Sequence, residues 1–434
     1  MENLALKGSE ILVASEKVSN QAEVTGIQKE FKRVNYKKDY SLHSSGINTG
    51  WGLRIIRNGK IGISAEWGII DSFRLVDKAI GNCRYGPKAI FTLPEKGAKK
   101  NRDSNLPFID MRHNQVQNYL KELESRLQLL HARATLTASL EWGNESYIIQ
   151  NSKGLINSYS RNKATADFSV TLPTDNGLLH SSYSLSTTDS LPDENDILDM
   201  LLLPLHAKNL SQINISGKQK VVLAPQAFSV LLQAVRIGVS GKTFAEKSSP
   251  LLDSQNKQVI SKSLTIKDQP RLDGGASSAP FDSEGIATVN KTLFREGIFN
   301  GFIHDLNSAA LCNEESTGSS GRNLGEHSRP VCTNLIVNPA SDGSHNTLSE
   351  TGSGILIPHI LSAGGGNTHS GDFIFDCGRV YIFKRGEIQG FYDSCVLSGN
   401  VYQALAEVNA LGSKKYKSNT DLLPFISLDG ISVR

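Results

Sequence analysis

The stretch GLRIIRNGKIGIS, residues 52–64, sets two β-rich arms on either side of Asn58-Gly59. Asn-Gly accepts the positive φ angles of a type I′ turn, so the stretch predicts a hairpin and, with it, an antiparallel sheet in the first part of the chain. Upstream, Glu10–Ala14 and Asn35–Ser44 read as further strands, and downstream a helix near Asp71–Ile80 closes an α+β unit over residues 1–84. Residues 85–105 carry Gly, Pro and five basic side chains and read as a linker.

Past the linker, Val116, Tyr119, Leu120, Leu123, Leu127 and Leu130 stack one apolar face on a helix. Thr135–Glu141, Ser146–Asn151, Leu155–Arg161 and Thr165–Leu172 read as the sheet it packs on, a meander turning at Trp142-Gly143-Asn144 and at Ser152-Lys153-Gly154. A helix over Asp193–Ala207, with Asp193 as its cap, completes a second α+β unit, residues 106–208. From residue 209 to 434, a strand at Gln219–Leu223 leads into a helix with Pro225 in its first turn, and the rest is rich in glycine turns and hairpins. The expected fold is therefore α+β, with two smaller N-terminal units followed by a large, mostly antiparallel β-rich C-terminal domain.

The 434 residues carry 46 Lys+Arg against 43 Asp+Glu, a net charge of +3, which lacks the electrostatic footprint of a nucleic-acid or anionic-membrane binder. No run approaches the roughly 18 apolar residues of a spanning helix, and MENLALKGSEILVASEK has no basic-then-apolar order, so a cytoplasmic protein is expected. Cys83, Cys312, Cys332, Cys377 and Cys395 form an odd, scattered set that fits reduced thiols better than a disulfide framework or a zinc ribbon.

Local spacing supplies no active site. Gly241-Lys242-Thr243 ends like a phosphate loop, but the first glycine of that pattern would fall at Arg236 and the segment follows a helix. None of the ten histidines lies in an H-E-x-x-H arrangement, and Gly318-Ser319-Ser320-Gly321 lacks the spacing of a nucleophile elbow. His304, Asp305 and Cys377 are the residues a hydrolytic site of another kind would use.

Several strings occur in a telling order: GWGLRIIRNGKIGISA (50–65), NSKG (151–154), SAPFDSEGIAT (278–288), NGFIHDL (300–306), EESTGSSGR (314–322), NTHSGDF (367–373) and VLSGNVYQAL (396–405). Together they resemble the TldD/PmbA family, also called TldD/TldE, over nearly the whole chain. The resemblance implies a heterodimer in which one subunit carries a zinc motif HExxxH on a helix, with a later cysteine as a further ligand, and the other lacks it. It implies a peptidase of unfolded peptides, used in modified-peptide maturation, leader removal or antitoxin degradation. Here the motif stretch reads LQAVRIGVSG, residues 232–241, so Leu232 and Ile237 stand at the ligand positions and Gln233 at the general-base position. Leu and Ile offer zinc no lone pair, and Gln has no basic form near neutral pH. The resemblance thus implies the TldE-like subunit, inactive by itself, with no catalytic residue or cofactor in this chain and zinc in a TldD-like partner. His304, Asp305, Gly365, Gly366, Gly371 and Asp372 are the loop candidates for peptide or partner contact. The family's longer first helix is expected to be absent or reduced. A stand-alone peptide-binding protein or homo-oligomer without protease activity is the alternative.

Overall fold

The computed structural model describes residues 1–38, 40–95, 111–174, 177–188, 190–207, 210–339 and 346–434. The N-terminal lobe runs α1 (Glu2–Glu16), β1 (Gln21–Lys37), β2 (Tyr40–Arg57), β3 (Lys60–Trp67), α2 (Ser72–Cys83), α3 (His113–Leu130), β4 (Thr135–Asn151), β5 (Ile156–Thr174), β6 (Gly177–Thr187) and α4 (Glu194–Leu202), with a 3-10 turn at Leu203–Ala207. Residues 1–84 and 106–208, read from the sequence as two units, contribute to one antiparallel sheet of order β3-β2-β1-β4-β5-β6, because β1 pairs along its length with both β2 and β4. Residues 96–105 of the expected linker lie outside the described residues.

Alternation assigns this sheet two unlike faces. Val24, Val34, Leu53, Ile55, Leu136, Leu140, Ile148 and Phe168 belong to cores shared with the helices, α1 and α2 covering one end and α3 and α4 the other. The opposite face carries Glu23, Arg54, Lys29, Glu145 and Arg161 and receives loops of the C-terminal lobe. The Asn58-Gly59 turn has φ of 51° and 71°, as the hairpin reading requires. Two local readings are corrected. Glu10–Ala14 lies in α1, whose buried Leu4, Gly8, Ile11 and Ser15 follow helical spacing, so a helix does precede the first strand. Trp142-Gly143-Asn144 is not a turn: β4 and β5 run unbroken past it, and Gly143 lets β1 approach so closely that an added methyl group would lie 1.8 Å from the Glu30 carbonyl oxygen.

The C-terminal lobe runs β7 (Gly217–Leu223), α5 (Pro225–Gly238), α6 (Gly241–Ala245), β8 (Leu264–Asp268), β9 (Lys291–Arg295), β10 (Ile298–Phe299), α7 (Leu306–Cys312), the two-residue strands β11 (Ser320–Gly321) and β12 (Arg329–Pro330), β13 (Leu335–Pro339), α8 (Thr347–Thr351), β14 (Ser353–Ile357), β15 (Ser362–Gly365), β16 (Asp372–Lys384), β17 (Glu387–Asn400), α9 (Val401–Ala406), β18 (Val408–Ser418) and β19 (Asp421–Val433). Its large sheet is mixed, since β7 lies parallel to β14 and β13 parallel to β19. The pairings β7–β14, β14–β16, β16–β17, β17–β19 and β19–β7 form a closed circuit. Against it packs α5, whose Phe228, Leu231, Leu232 and Val235 share a core with Val221, Leu223, Phe373, Leu397 and Leu428. Cys377 and Cys395 are buried in that core, and all five cysteines are unpaired. No helix among the described residues is long and apolar enough to cross a membrane.

Candidate functional site

The site is built around the C-terminal end of α5. Pro225 opens this helix at its first turn, where its missing N–H breaks no helical hydrogen bond. Asp421 on β19 anchors the far side: its carboxylate accepts from Ser229 Oγ (2.7 Å), Arg236 Nη2 (2.6 Å) and the Leu335 N–H (3.1 Å). Leu232 is 0% exposed within the core, Gln233 is exposed, and Ile237 is half-buried. These residues do not fit a zinc ion. Leu232 and Ile237 have no donor atom, and Gln233 is exposed. Among the described residues, no group of three His, Cys, Asp or Glu side chains could hold a metal.

Two close approaches seat neighbours on this helix end. The Tyr402 hydroxyl occupies the place where a side chain on Gly238 would begin, 1.9 Å from an added methyl group, and it meets no hydrogen-bond partner among the described residues. The Tyr402 ring in turn packs on Gly371, whose φ is +86°. Tyr402 thus joins the helix to the NTHSGDF loop. Beyond it, the His304 ring packs against Gly241, its Nδ1 buried without a partner and its pKa lowered by burial. Gly241 is the first residue of α6, which Ser240 caps.

Asp305 caps α7, accepting from the Ser308 N–H (2.8 Å), and burial followed by Glu284 raises its pKa. No hydrogen bond joins the His304 and Asp305 side chains, so they do not form an acid–base dyad. Asp305 lines a cleft of about 710 Å³ between the lobes, together with Arg54, Phe91, Lys242, Glu284 and His327. Gly365, Gly366, Gly371 and Asp372 do not line it. Gly365 pairs with Ile374 on the short strand β15, and Gly366 turns the chain at φ +85°. Asp372 accepts from Ser370 Oγ (2.6 Å) and Asn400 Nδ2 (2.9 Å), which hold its carboxyl below the usual range.

At the floor of the cleft lies a buried ion cluster that local motif searching does not find. Arg54 donates to Glu284 (2.8 Å) and to Glu23 (2.9 Å), Arg322 also donates to Glu23, and Glu284 accepts from the Leu306 N–H (2.9 Å). Burial pushes the Glu23 carboxyl up, but Arg322 and Arg54 outweigh it and hold the group below its ordinary range. Both glutamates are 0% exposed, so these charges survive only because they answer one another. The trace in the sequence is a charge inside an apolar strand, Glu23 within AEVTGI and Arg54 within GLRII.

An interlobe cleft and a closed β circuit define a two-lobed α+β scaffold. A model of the PmbA/TldA metallopeptidase C-terminal domain matches residues 216–434, and the chain belongs to the PmbA/TldD metallopeptidase family. It is 28% identical over 293 residues to a metalloprotease PmbA homologue of Buchnera aphidicola subsp. Baizongia pistaciae, covering 65% of this chain and 62% of that protein. With metalloprotease PmbA of Escherichia coli O157:H7 it shares 24% identity over 295 residues, again 65% and 62% of the two chains. The match thus spans less than two thirds of either relative. The fold is that of TldE from Thermococcus kodakarensis, with a TM-score of 0.87 at 17% identity over 98% of this chain and 99% of that one.

Proposed function

We propose that this chain is the non-catalytic, TldE-like subunit of a heterodimeric TldD/TldE-type zinc peptidase acting in the cytoplasm on extended, unfolded peptides. The reading is carried by α5, where Leu232, Gln233 and Ile237 stand at the positions of the zinc motif. A chain with no metal donor there contributes shape: it completes the chamber, excludes folded proteins and holds peptide for its partner. The strand β15 supports this role, because beside it Leu361 and Ile374 are exposed at 62% and 46%, an apolar rim suited to strand addition. Gly365, Gly366, Gly371, Asp372, His304 and Asp305 are the proposed peptide- or partner-facing residues, and zinc belongs to the partner.

The test is co-expression with a TldD-like chain. The two should co-purify, the mixture should cleave an unfolded peptide, and this chain alone should neither cleave it nor retain stoichiometric zinc. Full activity from the isolated chain would overturn the reading.

A further inference from the structure

A second cavity, about 370 Å³, lies on the charged face of the N-terminal sheet, beneath C-terminal loops that include Phe281–Ser283 and Gly318–Arg322. Strand register places Lys29 opposite Glu145, and Glu145 opposite Arg161, so one cross-strand row reads cation, anion, cation. The Glu145 carboxylate serves both neighbours, 3.2 Å from Lys29 Nζ and 2.8 Å from Arg161 Nη2. The next row sets Lys163 opposite Gly143, which has no side chain to answer it. Lys163 is half-buried, and its ammonium group has no hydrogen-bond or ion-pair partner among the described residues. Burial lowers its pKa, Glu145 and, more weakly, Glu141 oppose that shift, and Arg161 and Lys29 add to it by repulsion.

The other charges bordering the cavity are committed. Arg322 pairs with Glu23. Asp282 turns its carboxylate onto the Ser320, Glu284 and Ile286 N–H groups at 2.9–3.0 Å. Lys29, Arg161 and Lys163 therefore share Glu145, and the one further carboxylate that attracts Lys163, Glu141, is itself paired with Arg33, so positive charge is in excess in a partly dry groove. The arrangement is complementary to an anion from outside. Two further features set the anion's class. Tyr147, Tyr159 and Phe281 pack at 5.2–5.9 Å to form an aromatic wall next to the cations. Beyond Lys163 the groove continues into a depression of about 100 Å³ between Phe31 and Gly143, rimmed by Glu30 and Glu141, so the acidic group itself belongs at Lys163 and the uncharged part of the segment beyond it. A free inorganic anion would use neither, whereas a short extended segment with an acidic group would use both.

We propose that this groove binds an extended peptide segment bearing an Asp or Glu side chain, whose carboxylate pairs with Lys163. The proposal deepens the peptide-handling reading given above by naming a ligand class. Because it is tested on the isolated chain, its failure and a failure to find a protease partner are distinguishable.

The experiment is calorimetric titration of the isolated chain with acetyl-Ala-Asp-Ala-Asp-Ala-amide, with its Asn counterpart, and with inorganic phosphate. The acidic peptide should bind at least about tenfold more tightly than the Asn peptide, and added salt should weaken it. Phosphate should compete poorly. Lys163→Gln should reduce acidic-peptide binding about tenfold or more while leaving the melting temperature unchanged or higher, since the cost of burying its charge is relieved; Lys163→Arg should retain binding. Equal binding of the two peptides, undiminished binding by folded Lys163→Gln, or phosphate competing as strongly as the acidic peptide would each overturn the proposal. Should Lys163→Gln not fold, Lys29→Gln carries the same test, with a smaller expected loss.

Discussion

Arg54 is the residue on which the junction of the lobes turns. It is 4% exposed and answers Glu23 from its own lobe and Glu284 from the other. Removing it leaves two carboxylates buried with less than their share of positive charge, and Arg322, which reaches only Glu23, cannot compensate at Glu284. Arg54→Ala is accordingly expected to lower stability by about 3–5 kcal/mol. Urea unfolding checks this, and a loss below about 1 kcal/mol would show that water or a side-chain shift replaces the guanidinium. That Leu232 and Ile237 cannot ligate a metal was legible at this scale, because neither side chain has a donor atom wherever it lies. The ion cluster was not. A charged residue inside a strand declares that it has a partner, but Glu23, Arg54, Glu284 and Arg322 lie up to 299 residues apart in sequence, and only the packed fold shows who answers whom.

Elements were legible where one periodicity acts alone. The helix α3 with its buried Val116, Leu120, Leu123 and Leu127, the Asn58-Gly59 hairpin, and Pro225 at the start of α5 all follow from local rules. The errors arose where a glycine or a short apolar run has two meanings. The run ILVA in α1 fits a strand as well as a helix face, and Gly143 resembles a turn residue although its role is to admit the β1 backbone. A pair of substitutions separates these uses of glycine. Gly143→Ala should destabilise by roughly 1–3 kcal/mol, because the Glu30 carbonyl cannot retreat without opening the β1–β4 ladder. Gly81→Ala, in α2 with nothing within 4 Å of the added methyl, should stabilise by about 0.5–1 kcal/mol. Thermal melts of the two variants decide it, and shifts of the same sign would contradict the assignment.

For the whole molecule, the lobes are expected to unfold together near neutral pH, because charges and side chains of each complete the other. Arg54 reaches Glu284, Arg161 donates to the Ser278 carbonyl (3.0 Å), and Asn157 donates to that of Gly285 (3.0 Å). Acid should weaken this union. Arg322 and Arg54 hold Glu23 below its ordinary 4.5 against burial, and Arg161, Lys163 and Lys29 bring Glu145 to about 2. Depressed folded-state values mean that these groups stabilise the fold fully above pH 4.5 and lose that contribution as pH falls toward 2. Asp282, raised by burial and by Glu284, works the other way: its protonation favours the fold as pH falls, a gain that is complete only below the ordinary 3.8 and that partly offsets the loss. Scanning calorimetry should show one transition at neutral pH and a melting temperature that drops steeply below pH about 4.5; a flat profile through that range would refute the linkage. The closed strand circuit bears on how the protein is made. On the ribosome, β7 emerges roughly 200 residues ahead of β19, one of its two neighbours, a wait on the order of 10–40 s at typical synthesis rates. Throughout that interval Val221, Val222 and Leu223 present an unpaired apolar edge, so the nascent C-terminal lobe is a natural client for a holding chaperone.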